Sequence, residues 1–233
     1  MNLKSLSIIL AVSAVLAACQ SNNSSKTVTL TNENDSASYA LGVLIGQNNK
    51  QNLDASPGTK DLNVEILINA FEKQMRGEES QMDAAQSNAL IQSFFEKVST
   101  REATKNSEEG KAFLETNKAR EGVTTTASGL QYEILKAGDG EKPAADQSVK
   151  CHYHGTLIDG TVFDSSVDRG EPATFNVGQV IPGWTEALQL MPVGSKWKLF
   201  IPGELAYGER GAGKDIGPNE TLIFEVELLE IVK

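Results

Sequence analysis

An α+β fold in two parts is predicted by three observations. From Ser36 to about Arg120 the apolar residues recur at helical spacing, and from Leu130 onward they alternate in short runs. Between the two lies a Thr- and Ser-rich stretch, Gly122 to Gly129, where the period changes. Within the second part a single short helical pattern, Trp184 to Leu190, stands among strands and must bury its apolar face on a sheet. The 233 residues are 39% apolar, enough for ordinary cores, and the formal charge of −10 with no basic stripe excludes nucleic acid as a partner.

The chain opens with Lys4, an apolar run from Leu6 to Leu16, and Leu16-Ala17-Ala18-Cys19. The run is shorter than the roughly 20 residues of a spanning helix. It resembles a bacterial lipoprotein signal, in which residues 1–18 are removed and Cys19 is lipidated; an ordinary secretory leader with an incidental cysteine is the alternative. Cys151 is then the only other thiol, so no internal disulfide is expected, and it is read as a small buried strand residue. Residues 19–34 are rich in Ser, Asn and Thr and are expected to form a flexible tether.

Residues 35–121 are expected to be helical. Ser36 to Gln47 carries Tyr39, Leu41, Val43, Leu44 and Ile45 with two glycines among them, a short apolar helix. Asn63 can cap a second helix with Val64, Leu67, Ile68, Phe71 and Met75 on one face, ended by Gly77. A third pattern starts near Asp83 and runs to about Arg120, roughly 55 Å if unbroken. Ser107 to Gly110 leaves a break open, because Ser107 could cap a new helix and Gly110 weakens the old one. Its second half is mostly charged and is read as a solvated stalk. Helices this apolar and this few need a cover, and a symmetric dimer supplies it; packing of the helices onto the C-terminal part is the alternative.

Residues 122–233 read as strands. Leu130 to Lys136 is followed by Ser148 to Ile158, with Val149, Cys151 and Tyr153 on one face and Lys150, His152 and His154 on the other. The His pair lacks a third ligand and is expected to be exposed, so no metal is assigned. Ala173 to Val177, Lys196 to Ile201 and Thr221 to Val232 complete the strands. Between them, Val180 to Gly213 alternates turn, helix and strand signals and places Trp184 and Tyr207 where an aromatic-lined hollow would form. No nucleophile–base order, phosphate-cradling loop or paired-carboxylate motif is present, and no cofactor is implied.

The order Tyr153-His154-Gly155, Phe163-Asp164-Ser165-Ser166, Arg169-Gly170, Val180-Ile181-Pro182-Gly183-Trp184, Leu205-Ala206-Tyr207-Gly208, Ile216 and Phe224 resembles the FKBP-type peptidyl-prolyl cis-trans isomerases. The helical half, with Ser38-Tyr39-Ala40-Leu41-Gly42 near its start, is similar to the macrophage infectivity potentiator type of that family. The resemblance implies an antiparallel half-barrel wrapped on the short helix, preceded by an all-α dimerisation domain with a long connecting helix. It assigns Asp164 and Tyr207 as catalytic, and Tyr153, Phe163, Arg169, Val180, Ile181, Trp184, Ile216 and Phe224 to substrate binding. The backbone N–H of Ile181 and the hydroxyl of Tyr207 would donate to substrate carbonyls. Ala173 and Ala212 depart from the family pattern at the rim, which bears on ligand preference.

The implied activity is isomerisation of X-Pro bonds in extended or unfolded exported chains, by a homodimer anchored through Cys19, with macrolides as possible ligands. Its expected place is the outer membrane, facing the periplasm. The rival reading is a holdase chaperone that grips unfolded chains in the dimer cleft.

Overall fold

The computed structural model describes residues 27–232, so the leader and Cys19 lie outside the described residues. Helix α1 spans Glu33–Ala55, longer at both ends than its apolar core predicts. Asn32 starts it early, since its side chain accepts from the Asp35 N–H at 2.9 Å. Beyond the apolar core the helix continues through polar residues, with a Lys50–Asp54 pair one turn apart at 2.6 Å. The chain divides into two compact units inside α1, at Asn48–Asn49.

In the second unit, α2 covers Val64–Met75 and is capped by Asn63, which accepts from the N–H groups of Glu65 and Ile66. Helix α3 runs unbroken for 34 residues, Ala84–Asn117, from a capping box made by Asp83 and Gln86. Ser107 to Gly110 therefore lies inside one helix.

The stalk is not free in solvent. A stripe on its second half faces the sheet: Asn106 donates to the Pro218 carbonyl at 2.9 Å, and Phe113 packs on Phe200 with ring centres 6.0 Å apart. At the end of the stripe, buried Asn117 donates to Gln131 at 2.8 Å, and Gln131 in turn donates to the Leu114 carbonyl at 2.9 Å. The mostly charged composition concealed this stripe because its contacts are carried by Asn, Gly and one Phe rather than by an aliphatic row.

The sheet contains β1 (Val123–Thr125), β2 (Gln131–Lys136), β3 (Ser148–Leu157), β4 (Val162–Ser165), β5 (Ala173–Asn176), β6 (Lys196–Ile201) and β7 (Leu222–Val232). Its order is β1-β2-β6-β7-β3-β4, with β5 beside the first half of β3 and all pairs antiparallel. Strand β3 is shared along its length: residues 148–151 pair with β5 and residues 154–156 with β4. That switch curls the sheet around helix α5, Pro182–Leu190, which buries Trp184, Ala187 and Leu188. Alternation supplies the inner wall, with Val149, Cys151, Trp197, Leu199, Val226 and Leu228 all buried in one core. Phe200 points to the opposite face yet is only 1% exposed, because α3 covers it there.

Burial pushes the Cys151 thiol up to about 12, which leaves it an unreactive packing group. His152 and His154 are half-buried rather than fully exposed as expected. Their Nδ1 atoms lie 3.1 Å from the Ser166 hydroxyl and 3.0 Å from the Ser165 hydroxyl, at the start of the one-turn helix α4, Ser166–Arg169.

Candidate active site

The inner curve of the sheet is not filled at the N-terminal end of α5. A hollow of about 690 Å³ remains, lined by Tyr153 from β3, Phe163 and Asp164 from β4, Phe175 from β5 and Phe224 from β7. Val180, Ile181 and Trp184 close it at the helix entry, and Tyr207 and Ile216 come from the segment after β6. The structure thus brings together every sequence-predicted pocket residue among those described except Arg169, which stands behind Asp164.

The floor is Trp184, 4% exposed, and four aromatic neighbours hold it or one another edge-on. Tyr153, Phe175 and Phe224 meet its ring at centre distances of 5.5, 5.4 and 5.2 Å and interplanar angles of 83, 73 and 82°. Phe163 meets Phe224 at 5.4 Å and 83°. Edge-to-face packing sets positive ring edges on negative ring faces, so the box is rigid as well as apolar. Gly155 makes it possible: a Cβ there would stand 2.7 Å from the Phe163 ring and 2.8 Å from the Phe224 ring. The glycine of Tyr153-His154-Gly155 is therefore a site residue that the sequence displays without explaining.

Asp164 is a carboxylate held at the edge of the aromatic box by two side-chain partners. Tyr153 donates its hydroxyl to one carboxylate oxygen at 2.5 Å, and the Arg169 guanidinium donates to the other and, at 2.7 Å, to the Tyr153 hydroxyl. The same guanidinium lies over the Tyr153 ring, 5.6 Å from its centre. Partial burial by itself would raise the Asp164 carboxyl, but the bonds from Tyr153 and Arg169 and the guanidinium charge outweigh it and hold the group below the usual carboxylate range. Burial, and then the bond to that carboxylate, push the Tyr153 hydroxyl up, so it stays a proton donor. Ser166 sets this cluster from below: its hydroxyl accepts from the Tyr153 N–H at 2.7 Å, which fixes the α4 turn that returns Arg169 to Asp164.

On the facing wall, Tyr207 is 41% exposed and its hydroxyl is pushed up by burial first and by the Asp164 charge second. Ile181 ends the extended segment before α5, and its carbonyl accepts from the N–H groups of Trp184 and Thr185 at 2.9 and 3.0 Å. Its own N–H and the Tyr207 hydroxyl donate to no other group among the described residues. Of the two departures expected at the rim, Ala212 lines the hollow. Ala173 instead pairs with Cys151 and packs on the core, so it acts beneath the site. Sequence reasoning placed Phe175 in the family order without giving it a pocket role and did not single out Gln179 or Asp215, yet all three line the hollow. The alternation of β5 was the available signal for Phe175; the other two lie in irregular segments that give none.

These features have counterparts in known proteins. Residues 139–229 match the family model of the FKBP-type peptidyl-prolyl cis-trans isomerases, and residues 34–134 match that of the domain amino-terminal to them. The outer membrane protein MIP of Legionella longbeachae is 42% identical over 232 residues, covering 96% of this chain and 94% of that protein. The FKBP-type 22 kDa peptidyl-prolyl cis-trans isomerase of Escherichia coli K12 is 47% identical over 199 residues, 84% of this chain and 94% of its own. The crystal structure of FkpA from Escherichia coli superposes with a TM-score of 0.68 at 36% identity, covering 87% of this chain and 98% of that one. With both parts of the chain matched in order, and an aromatic hollow where the isomerase part folds, the protein belongs to the FKBP-type peptidyl-prolyl cis-trans isomerases.

Proposed function

We propose that the hollow takes the proline ring of an X-Pro segment onto the Trp184 floor, and that Asp164 and Tyr207 orient the flanking peptide groups. The carrying observation is a rigid, mostly apolar box with the held Asp164 carboxylate on one wall and, on the other, two donors that no group among the described residues occupies.

The reaction breaks no bond, so the site needs no nucleophile. Rotation about the X-Pro amide is opposed by resonance, by about 18–20 kcal/mol. In the twisted state the amide loses that resonance and its oxygen sheds part of its charge, so it gains less from water than the planar amide does. An apolar wall that excludes water therefore favours the twisted state over the planar one. The Ile181 N–H and the Tyr207 hydroxyl hold the neighbouring carbonyls, and the Asp164 carboxylate, kept ionised by its partners, sets a fixed local field.

A protease-coupled assay on a short X-Pro peptide tests these roles. Asp164→Ala should lower kcat/KM roughly 10-fold, the scale of one charge-assisted hydrogen bond, and Tyr207→Phe roughly 5-fold. Parent-like activity in both variants would remove the assigned roles. Inhibition of the parent by a macrolide, competitive with the peptide, is expected from the same hollow.

The remainder of the reading concerns assembly and place. Residues 35–121 form the dimerisation part and residues 122–233 the isomerase part, and two copies associate through the amino-terminal helices. The apolar residues those helices expose support this, Leu41 and Leu44 on α1 and Ile66, Ile68 and Phe71 on α2 among them. Among the described residues no helix is long and apolar enough to cross a membrane. In this reading attachment rests on a lipidated Cys19 after loss of residues 1–18, with the segment before α1 as the tether to the body and the protein facing the periplasm from the outer membrane. The name of the Legionella longbeachae relative supports an envelope location. Metabolic labelling with a palmitate analogue should mark the parent and not Cys19→Ser.

A further inference from the structure

One wall of the hollow is a loop closed by bonds of its own and touched by helix α3. Tyr207 stands just before it, and Ala212 and Ile216 lie within it, all lining the hollow. Asn219 closes its base by donating its N–H to the Gly208 carbonyl at 2.8 Å, and Ala212 and Ile216 exchange two backbone bonds of 2.9 and 3.2 Å across its middle. Asn219 is also the one described non-glycine residue with a positive φ, 56°, so the closure depends on a conformation that few side chains adopt.

Helix α3 reaches this base from outside. The Asn106 side-chain amide donates to the Pro218 carbonyl at 2.9 Å, across 112 residues of chain. A Cβ on Gly217 would lie only 3.2 Å from the same amide nitrogen, so Asn106 packs on the loop as well as bonding to it. One turn further on, Gly110 lets the helix approach Thr221 so closely that a Cβ would stand 2.3 Å from its hydroxyl. The bond thus falls two residues from Ile216, next to the closure that neighbours Tyr207.

We propose that Asn106 is a positioning residue for the isomerase site: it clamps the Gly208–Asn219 loop through Pro218, so the long helix determines how firmly the Tyr207–Ile216 wall closes on the substrate. The proposal rests on the reading of the hollow as the isomerase site. Asn106 lies within residues 34–134, the part matched by the amino-terminal model, and outside the 139–229 match. The helix is thereby part of the catalytic unit and not only its support.

The test uses the full chain with Asn106→Ala, the isosteric Asn106→Asp, which presents no donor at neutral pH, and Thr104→Ala as control. Among the described residues the Thr104 hydroxyl bonds only to the Thr100 carbonyl of its own helix. Hydrogen exchange at the Ala212, Ile216 and Asn219 amides should quicken roughly 5-fold in both Asn106 variants, the scale of one lost hydrogen bond. The KM for a short X-Pro peptide should rise by a similar factor with kcat near the parent value, and Thr104→Ala should match the parent in both. Unchanged exchange and KM in Asn106→Asp would overturn the clamp, as would equal loosening in Thr104→Ala. Exchange is read without turnover, so an inactive parent would refute the isomerase reading while the clamp was still judged on its own.

Discussion

Asp164 and Glu220 are both carboxylates at the edge of the isomerase fold, and their surroundings shift them in opposite directions. Asp164 lies below its ordinary 3.8, since the bonds from Tyr153 and Arg169 outweigh partial burial. As pH falls, the unfolded chain takes up that proton before the folded one. The Asp164 contribution to stability is therefore complete above the ordinary value and is lost as pH falls through the folded value. Peptide-assay kcat/KM should consequently be level from about pH 5 to 8, and the difference in Tm between parent and Asp164→Asn should hold over that range and narrow only below about pH 4. A midpoint near neutrality would contradict this assignment. Glu220 is raised from its ordinary 4.5, by burial first and then by the charges of Asp159 and Glu109. Here the folded chain binds the proton more tightly, so ionised Glu220 costs stability at neutral pH. Glu220→Gln should raise Tm at pH 7, with the gain closing as pH falls toward 4.5.

At the level of elements, the strands were legible because burial on one face imposes alternation, and β3 and β7 show it along most of their length. Helix α2 was legible from its cap and its single apolar face, and the aromatic box from Trp184 and the residues recognised in family order. The α3 contact was not, because an interface of Asn106, Gly110, Phe113 and Asn117 has helical spacing but no hydrophobic period. Gly110 illustrates the difficulty: within the sequence it weakens a helix, and within the structure it is where the helix packs against Thr221, the residue before β7. Gly110→Ala separates these two roles. Helix propensity alone predicts a gain of about 1 kcal/mol. Overpacking against Thr221, whose hydroxyl oxygen would stand 2.3 Å from the new methyl, is expected to cost more, about 1–3 kcal/mol. A net fall in Tm is expected, restored when Thr221→Ala is added. A rise in Tm from Gly110→Ala alone would mean that the helix packs less closely than described.

At the scale of the whole molecule, the apolar surface is divided unevenly. The isomerase sheet encloses most of its aliphatic side chains, with Ile134, Leu135, Val162 and Val232 left exposed, while α1 and α2 bury none of their residues within one chain. Ile68 and Phe71 remain 50% and 45% exposed on α2, although the helix presents them at the spacing of a packed face. A second copy of the same helices would cover this surface and leave the hollow untouched, because every residue lining the hollow comes from Tyr153 to Phe224. Sedimentation equilibrium of residues 20–233 should therefore give twice the chain mass, and Ile68→Glu with Phe71→Glu should shift it to the monomer. Burying two carboxylates in an apolar interface costs several kcal/mol unless they find partners. The same double variant should keep the parent kcat/KM on a short X-Pro peptide, since neither the hollow nor the Asn106 contact includes α2. A dimer that survives both substitutions would place the interface elsewhere, and a monomer with lost peptide activity would show that the two halves of the chain depend on each other more closely than the Asn106 contact alone provides.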